Sequence, residues 1–228
     1  MFDIDYISHP IQKHILHVLT DRKNARFRDM RKPGTDSNLY SYHLKQIIKD
    51  GFVEKTDKGY RLTAKGLLYV DRVSHESSKP RQQPKIITMI LLKNNKNQIL
   101  LTKRNRQPFI TRWTFPNGKI HLEDASIQSS AERELAEKTN LTLHGLSHVG
   151  DCYIKTAADS LTINTVLAHI FYKSVGNLAL DREDMAWTDK NWRQQHKLAP
   201  GVEDIIKLVE KRSKQPFFTE LEYKINLS

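Results

Sequence analysis

The hydrophobic positions near the start of the chain follow helical and then strand-like periods. Between residues 9 and 20 apolar side chains recur at i, i+4, i+7 and i+8, which predicts an amphipathic helix with Pro10 in its first turn. A short segment at residues 27–30 comes next, and a second stripe then predicts a helix over residues 37–50, closed by Gly51. The two stripes are formed by Ile11, Ile15, Val18 and Leu19, and by Tyr40, Leu44, Ile47 and Ile48.

Residues 52–56 and 60–63 are strand-like on either side of Asp57-Lys58-Gly59, which predicts a hairpin. Thr63 is a good N-cap for a further helix that carries Leu67, Leu68 and Val70. Three helices, a hairpin and a fourth helix are the elements of a winged helix. Over residues 9–73 the chain resembles bacterial and archaeal transcriptional regulators of the winged helix-turn-helix type; residues 40–45, 51–55 and 60–66 carry the resemblance.

The resemblance implies that the helix at residues 37–50 enters the major groove of double-stranded DNA. Its exposed face would contact bases and phosphates, and the hairpin would contact phosphates only. These DNA-binding candidates are Asn38, Ser41, Tyr42 and Lys45 on the helix, and Lys55, Lys58 and Arg61 on the hairpin. Winged helices also serve as protein-docking modules, which is the alternative. Recognition of paired DNA half-sites makes a homodimer the expected assembly.

The polar residues 73–84 include two prolines and no periodic apolar positions, which is the composition of an extended linker. We therefore expect a winged helix-turn-helix domain at residues 1–73, a linker at 74–84 and a second domain at 85–214. A tail at residues 215–228 would follow, as a partner surface or as a packed terminal segment.

The second domain mixes strand-like and helical patterns, which predicts an α/β (α+β) class. Two strands flank a polar turn at residues 94–97, and two longer strand-like runs follow later. The expected strands are residues 86–92, 98–102, 149–154 and 161–172, and the expected helices are residues 126–138 and 201–212.

A chemical motif lies between these elements. The aromatic-Pro-Asn-Gly segment at residues 113–119 precedes Asp124 and the helical run Arg133-Glu134-Leu135-Ala136-Glu137. This resembles the box of the Nudix family, G-x5-E-x7-R-E-U-x-E-E-x-G-U, where U is aliphatic. The resemblance covers residues 84–212. It implies a Nudix α/β/α sandwich and hydrolysis of the diphosphate bond of a nucleoside diphosphate derivative.

The resemblance also implies roles, position by position. Glu134 would be catalytic, as a metal ligand or in activating water, and Arg133 would orient the carboxylates. Glu137, Asp124 and the Gly118 carbonyl would complete the metal ligands. Carboxylates three or four residues apart on a helix project from neighbouring points, and Mg²⁺ (or Mn²⁺) takes oxygen ligands.

Three positions depart from the box. Lys138 replaces the second glutamate of the pair, Asn140 replaces the glycine, and eight residues rather than seven separate Asp124 from Arg133. Asparagine tolerates the left-handed conformation at a helix end, so Asn140 is a mild change. Lys138 either pairs with Glu134 at i, i+4 or holds phosphates without an ion, and both lower the expected turnover.

A basic run comes before the box. Arg104, Arg106 and Arg112 are expected to bind a diphosphate together with Lys138. The alternative is a sheet edge kept charged against aggregation. Phe109 and Trp113 suit either stacking on a base or packing in the core.

The charge balance adds a polyanionic partner to this picture. The chain has 37 Lys and Arg against 26 Asp and Glu, a formal net charge of +11, so a nucleotide or DNA is a suitable ligand. The single Cys152 excludes a disulfide scaffold. The longest apolar run, residues 86–92, is far below the roughly 20 residues of a bilayer span. We therefore expect a cytoplasmic protein without a membrane segment.

Two functions remain open at this stage. The first is a Nudix-type hydrolase with a weakened metal site and an attached DNA-binding winged helix. The second is a nucleotide-sensing transcriptional regulator whose Nudix domain binds an ADP-ribose-like ligand without hydrolysis. The Arg133-Glu134 pair favours the hydrolase, whereas Lys138 and the joining of two domains favour the sensor.

Overall fold

The structure is a computed structural model that describes residues 7–73, 83–158 and 160–226. The chain divides into two units, Met1–Gln83 and Pro84–Ser228. Most of the expected linker, residues 74–82, lies outside the described residues.

The first unit has the predicted order of helices, hairpin and helix. Its elements are α1 Pro10–Thr20, α2 Phe27–Met30, α3 Ser37–Lys49, β1 Val53–Thr56, β2 Gly59–Leu62 and α4 Ala64–Arg72. The strands β1 and β2 pair in antiparallel fashion and form the hairpin. This order of helices, hairpin and helix agrees with the order that the sequence predicts.

Local capping explains where the helices of this unit begin. Asp36 accepts a hydrogen bond from the Leu39 amide at 2.8 Å, and Thr63 accepts one from the Gly66 amide at 3.1 Å. The buried Tyr40 hydroxyl donates to the Met30 carbonyl at 2.8 Å, which joins α3 to α2.

The core of the first unit follows most of the two predicted stripes and differs in α1 and α4. In α1, Leu16 is fully buried although it lies outside the predicted stripe. Ile15, Leu16, Tyr40, Leu44 and Ile47 are all buried. In α4, however, Tyr69 is the fully buried side chain, whereas Leu67 is 58% exposed. The short helix leaves only one face against the core, and an aromatic ring fills that face.

The second unit is built around one eight-stranded sheet. Its strands are β3 Lys85–Lys93, β4 Ile99–Lys103, β5 Trp113–Thr114, β6 Asn117–Lys119, β7 Ser147–Ala158, β8 Leu161–Ser174, β9 Met185–Thr188 and β10 Phe217–Lys224, and its helices are α5 Ile127–Thr139, α6 Lys190–Gln195 and α7 Val202–Lys211. The strand order is β10-β7-β8-β3-β4-β5, while β6 pairs with β3 and β9 pairs with β4.

Helices cover both faces of this sheet. Alternate residues of a strand point to opposite faces. Accordingly, Ile87, Met89 and Leu91 of β3 pack in the cluster that contains α7, whereas Ile90 and Leu92 pack in the cluster that contains α5. The result is the expected α/β/α sandwich.

The C-terminal segment belongs to the sheet. Strand β10 pairs in parallel with β7, and Phe217 packs against the core. The predicted domain boundary at residue 214 therefore leaves out one strand of the sheet, and the packed-segment alternative describes this strand.

The short elements β5, β6, β9 and α6 have no counterpart in the sequence prediction. Each spans two to six residues, too few to show a period of their own. Among the residues that the structure describes, no helix is long and apolar enough to cross a membrane.

Candidate active site

The helix α5 presents the box residues, and both of its ends are locally specified. Ser126 and Ser129 form a reciprocal capping box at its start. At its end Asn140 adopts a left-handed conformation with φ of 59°, and its amide donates to the Ala136 carbonyl at 2.8 Å. Asparagine thus performs the helix-ending role of the box glycine, as expected.

Arg133 joins the residues of the box. Its Nε and Nη2 donate to Asp124 Oδ1 and Oδ2, each at 2.8 Å. Its Nη1 donates to Glu134 Oε1 at 2.8 Å and to Glu137 Oε1 at 3.2 Å. A further bond runs from Nη2 to the Lys119 carbonyl at 3.1 Å, which connects α5 to β6.

The hydrogen bonds of Asp124 go mainly to Arg133. Both of its carboxylate oxygens accept bonds from Arg133, and Oδ2 also accepts one from the His121 amide at 2.8 Å. The Arg133 guanidinium holds the pKa of the Asp124 carboxyl well below its usual range. This geometry suits a residue that positions Arg133, and it departs from the metal-ligand role given to Asp124 from the sequence.

The extra residue between Asp124 and Arg133 is accommodated before the helix begins. Residues 125 and 126 lie between Asp124 and the first residue of α5, and Ser126 has extended backbone angles. The bidentate pair therefore forms across nine positions of sequence. The extra residue therefore lies at the junction between the loop and the helix.

Glu134 is the buried carboxylate of the site, with a side chain only 5% exposed. It packs against the Cα of Gly118, where a Cβ atom would overlap the carboxylate. Its Oε2 atom is buried and has no hydrogen-bond partner among the described residues. The Lys138 ammonium lies 3.9 Å from that atom.

The side chains of α5 offer a small oxygen donor set. Glu134 supplies one buried oxygen without a partner, and Glu137, 52% exposed, lies one helical turn away. Gly118 lies in β6 opposite Thr88, beside the Glu134 carboxylate. These groups fit one hard divalent cation that keeps several waters. Lys138 occupies the place where a third carboxylate would complete the set.

A pocket of about 360 Å³ lies on the α7 side of the sheet, and Gly118 forms part of its wall. Its floor is apolar, from Ile87, Met89 and Val166, and four basic side chains surround it. These are Lys85, Arg104, Arg106 and Lys119. The pocket therefore combines an apolar base with a cationic rim.

The structure brings two of the four predicted phosphate-binding residues to this pocket. Arg104 and Arg106 line it, and Arg104 is fixed by a bond from its Nε to the Pro108 carbonyl at 3.0 Å. Arg112 does not line it, because its Nη1 donates to the Leu198 carbonyl at 3.2 Å. Lys138 lies on α5 beside Glu134 instead.

Of the two aromatic candidates, one lies at the pocket and the other does not. Phe109 lines the pocket, whereas Trp113 packs edge-on against Trp192, with ring centroids 5.0 Å apart. A stacking role is open to Phe109 and not to Trp113.

Several pocket residues have no signal in the sequence analysis. Lys85 shares a face with Ile87 and Met89, so the alternation of β3 could have revealed it. Lys119, Asn164 and Thr156 come together only through strand pairing. The Thr156 hydroxyl is buried without a hydrogen-bond partner among the described residues, which leaves it available to a ligand.

In the first unit, the proposed DNA contacts lie at the surface. Asn38, Tyr42 and Lys45 are exposed on α3, and Ser41 is partly exposed. On the hairpin Lys55, Lys58 and Arg61 are exposed, and Arg61 pairs with Glu54 at 2.6 Å.

Comparison with known families agrees with this architecture. Residues 83–209 match the NUDIX domain family, so the chain belongs to the Nudix family. Residues 3–73 match a domain of unknown function, DUF7347. No curated protein matches the chain.

Several solved structures align with this chain, and the first of them shows the same fold for the Nudix domain. The Nudix domain of Shewanella oneidensis NrtR, complexed with ADP ribose, aligns with a TM-score of 0.51 at 19% identity over 66% of this chain and 99% of that one. MutT of Bacillus halodurans aligns with a TM-score of 0.48 at 19% identity, over 61% and 90%. MutT of Methanosarcina mazei Go1 aligns with a TM-score of 0.44 at 22% identity, over 58% and 99%.

The Asp124–Arg133 pair yields a prediction on stability against pH. Because the folded pKa of Asp124 is lowered, its contribution is fully present above the unfolded pKa, about 3.9, and is lost as the pH falls through the folded value. Asp124→Asn should lower the free energy of unfolding by about 1–3 kcal/mol at pH 7. Denaturant titrations between pH 3 and 7 should show this difference shrinking below about pH 4. The exposed Glu123→Gln serves as the control, and a difference that stays constant to pH 3 would contradict the assignment.

Proposed function

We propose that the protein is a Nudix-type hydrolase that cleaves the diphosphate bond of a nucleoside diphosphate derivative with the help of Mg²⁺ or Mn²⁺. The observation that carries this proposal is the buried, unpartnered Oε2 of Glu134, held against Gly118 by an arginine that Asp124 orients. A buried carboxylate oxygen without a donor is costly. A metal ion or a proton that arrives with the substrate would supply the partner that this oxygen lacks.

The roles of the remaining residues follow from their contacts. Glu134 and Glu137, with the Gly118 backbone, would hold the divalent cation, and Arg133 would keep both carboxylates in place through its two bonds. When bound, such a cation supplies charge neutralisation at the phosphoryl oxygens. Glu134 has one free oxygen, so it would either complete the ligands of the cation or accept a proton from an attacking water; in both roles this oxygen is fixed, while that of Glu137 is exposed.

The pocket on the other side of Gly118 suits the substrate. Its volume of about 360 Å³ lies in the range of small-molecule sites. Phe109 and the apolar floor would hold a base or ribose, and the guanidinium groups of Arg104 and Arg106 would bind phosphate oxygens. The diphosphate would then lie beside Gly118, next to the carboxylates of α5.

This proposal predicts turnover that depends on Glu134. A product assay with Mg²⁺ over nucleoside diphosphate sugars, dinucleotides and nucleoside triphosphates should find one substrate class. Glu134→Gln keeps the size of the side chain and should lower kcat by about 100-fold or more, as loss of a general base does. Glu123→Gln, an exposed carboxylate outside the helix, is the matched control. Equal turnover in the wild type and Glu134→Gln would overturn the role of Glu134.

Lys138 gives a second prediction because it changes the charge of the site. Asp124, Glu134 and Glu137 against Arg133 and Lys138 leave one net negative charge, whereas a glutamate at position 138 would leave three. Lys138→Glu should therefore tighten Mn²⁺ binding by about tenfold or more, since each 1.4 kcal/mol is tenfold, and raise the turnover with Mg²⁺. Binding is measured by the Mn²⁺ electron paramagnetic resonance signal. Lys138→Gln separates removal of the cation from addition of a ligand, and unchanged Mn²⁺ affinity in Lys138→Glu would contradict the missing-ligand account.

The second candidate function is nucleotide sensing without hydrolysis, and the contact of Lys138 with Glu134 favours it. A permanent cation at this place can hold phosphate oxygens without an ion. The likeness in fold to a Nudix domain complexed with ADP ribose suggests an ADP-ribose-like compound as the first ligand to try. In this function the ligand must bind the DNA-competent and DNA-incompetent states unequally. Absence of turnover together with thermal stabilisation by such a compound would support the sensor.

We propose DNA as the partner of the first unit, bound by a homodimer. The exposed residues Asn38, Ser41, Tyr42 and Lys45 would lie in the major groove, and Lys55, Lys58 and Arg61 would contact phosphates. Every one of these residues is at least partly exposed.

The double variant Lys45→Ala/Arg61→Ala tests this surface. On the recognition helix Lys45 would reach a phosphate at the edge of the groove, as Arg61 would on the hairpin. Removal of both cations should weaken DNA binding and lower the slope of log affinity against log salt by about 2. Fluorescence anisotropy between 50 and 300 mM salt measures both quantities. Lys207→Ala/Lys211→Ala removes two charges from α7 and is the control. An unchanged salt slope in the double variant would place the DNA surface elsewhere.

A further inference from the structure

A second group of potential ligands lies on β7 and β8. His148, Asp151 and His169 bring their ligand atoms within 4.8 Å of one another. His148 Nε2 lies 2.9 Å from Asp151 Oδ1, and His169 Nδ1 lies 2.7 Å from the same oxygen. Two imidazoles therefore converge on one carboxylate oxygen.

A β-bulge creates this arrangement. Residues three apart on a regular strand point to opposite faces. The register of β7 against β8 shifts between His148 and Gly150, and this extra residue turns His148 to the face of Asp151. Asp151 lies directly opposite His169 in the antiparallel pair. Backbone structure thus brings together three side chains that a regular strand would separate.

The three side chains are accessible and restrained. Their exposed fractions are 36% for His148, 30% for Asp151 and 18% for His169. The His148 ring packs against Phe171, with centroids 5.6 Å apart. The group is therefore anchored on one side and open to solvent on the other.

We propose that His148, Asp151 and His169 bind a zinc ion or a similar divalent transition-metal ion. Two imidazole nitrogens and one carboxylate oxygen are ligands for such ions, whereas Mg²⁺ and Ca²⁺ prefer oxygen alone. Three protein ligands leave a coordination position for water or another ligand. The separations of 2.7 and 2.9 Å are hydrogen-bond lengths, so a bound ion would take the place of the hydrogen between each imidazole nitrogen and the carboxylate oxygen.

This site is separate from the carboxylates of α5. In the strand register Gly118 lies opposite Thr88, and Thr88 lies beside His169. His169 is thus two strands from Gly118, roughly 10 Å at the usual spacing of neighbouring strands. The two ions of a dinuclear centre lie about 3.5–4 Å apart. The zinc site is therefore independent of the proposed magnesium site and does not rest on it.

Calorimetric titration of the full, tag-free chain with Zn²⁺ tests the proposal, with excess Mg²⁺ present to saturate oxygen-only sites. We expect one Zn²⁺ per chain, and a loss of affinity of about 100-fold or more in His148→Gln/His169→Gln. Affinity should be retained in His144→Gln, which alters an exposed histidine elsewhere in the domain. It should also be retained in Glu134→Gln/Glu137→Gln, which separates this site from that of α5.

Absence of stoichiometric binding, or unchanged affinity in the double histidine variant, would overturn the proposal and leave the three residues as an ion-pair network. Circular dichroism establishes that the variants fold. If the double variant does not fold, anomalous diffraction at the zinc edge from crystals of the unaltered chain decides the question. An ion about 2.0–2.2 Å from the three side chains supports the site, and an ion elsewhere or none refutes it.

Discussion

The bidentate bond between Asp124 and Arg133 is the interaction on which the candidate active site depends. Both guanidinium donors that face Asp124 are satisfied at 2.8 Å, so the plane of the arginine is fixed. The remaining nitrogen then has a defined place from which to hold Glu134 and Glu137. Without Asp124, the partly buried Arg133 would pair with Glu134 and Glu137 in more than one orientation.

The fixed position of Arg133 also explains why only one oxygen of Glu134 is hydrogen-bonded. Arg133 engages only Oε1, and the absence of a side chain at Gly118 leaves room for the carboxylate to lie against the strand. The second oxygen is buried and has no hydrogen bond within the described part of the chain. Lys138 approaches it to 3.9 Å, too far for a hydrogen bond and close enough to lower the local negative charge. This contact is the feature on which the two proposed functions differ.

The sheet distributes the chemistry of the second unit over two faces. Glu134 and the histidine–aspartate group belong to the face covered by α5, and the basic pocket belongs to the face covered by α7. Gly118 takes part on both faces, because it lines the pocket on one side and contacts Glu134 on the other. A side chain at this position would overlap the Glu134 carboxylate, which explains why a glycine is needed there.

The sequence by itself determined the order of elements in the first unit and the longer helices and strands of the second unit apart from β10. It also identified the box residues Arg133, Glu134 and Glu137. Local chemistry suffices for these features, because Thr63, Ser126 and Asn140 cap their helices through neighbours in sequence. Only the tertiary structure decided that Asp124 accepts two bonds from the Arg133 guanidinium and that Arg112 donates to the Leu198 carbonyl. It also decided that β10 pairs with the sheet and that a bulge turns His148 toward Asp151. Each of these depends on contacts between residues distant in sequence or on a one-residue shift of register. Periodicity along the chain carries no information about either.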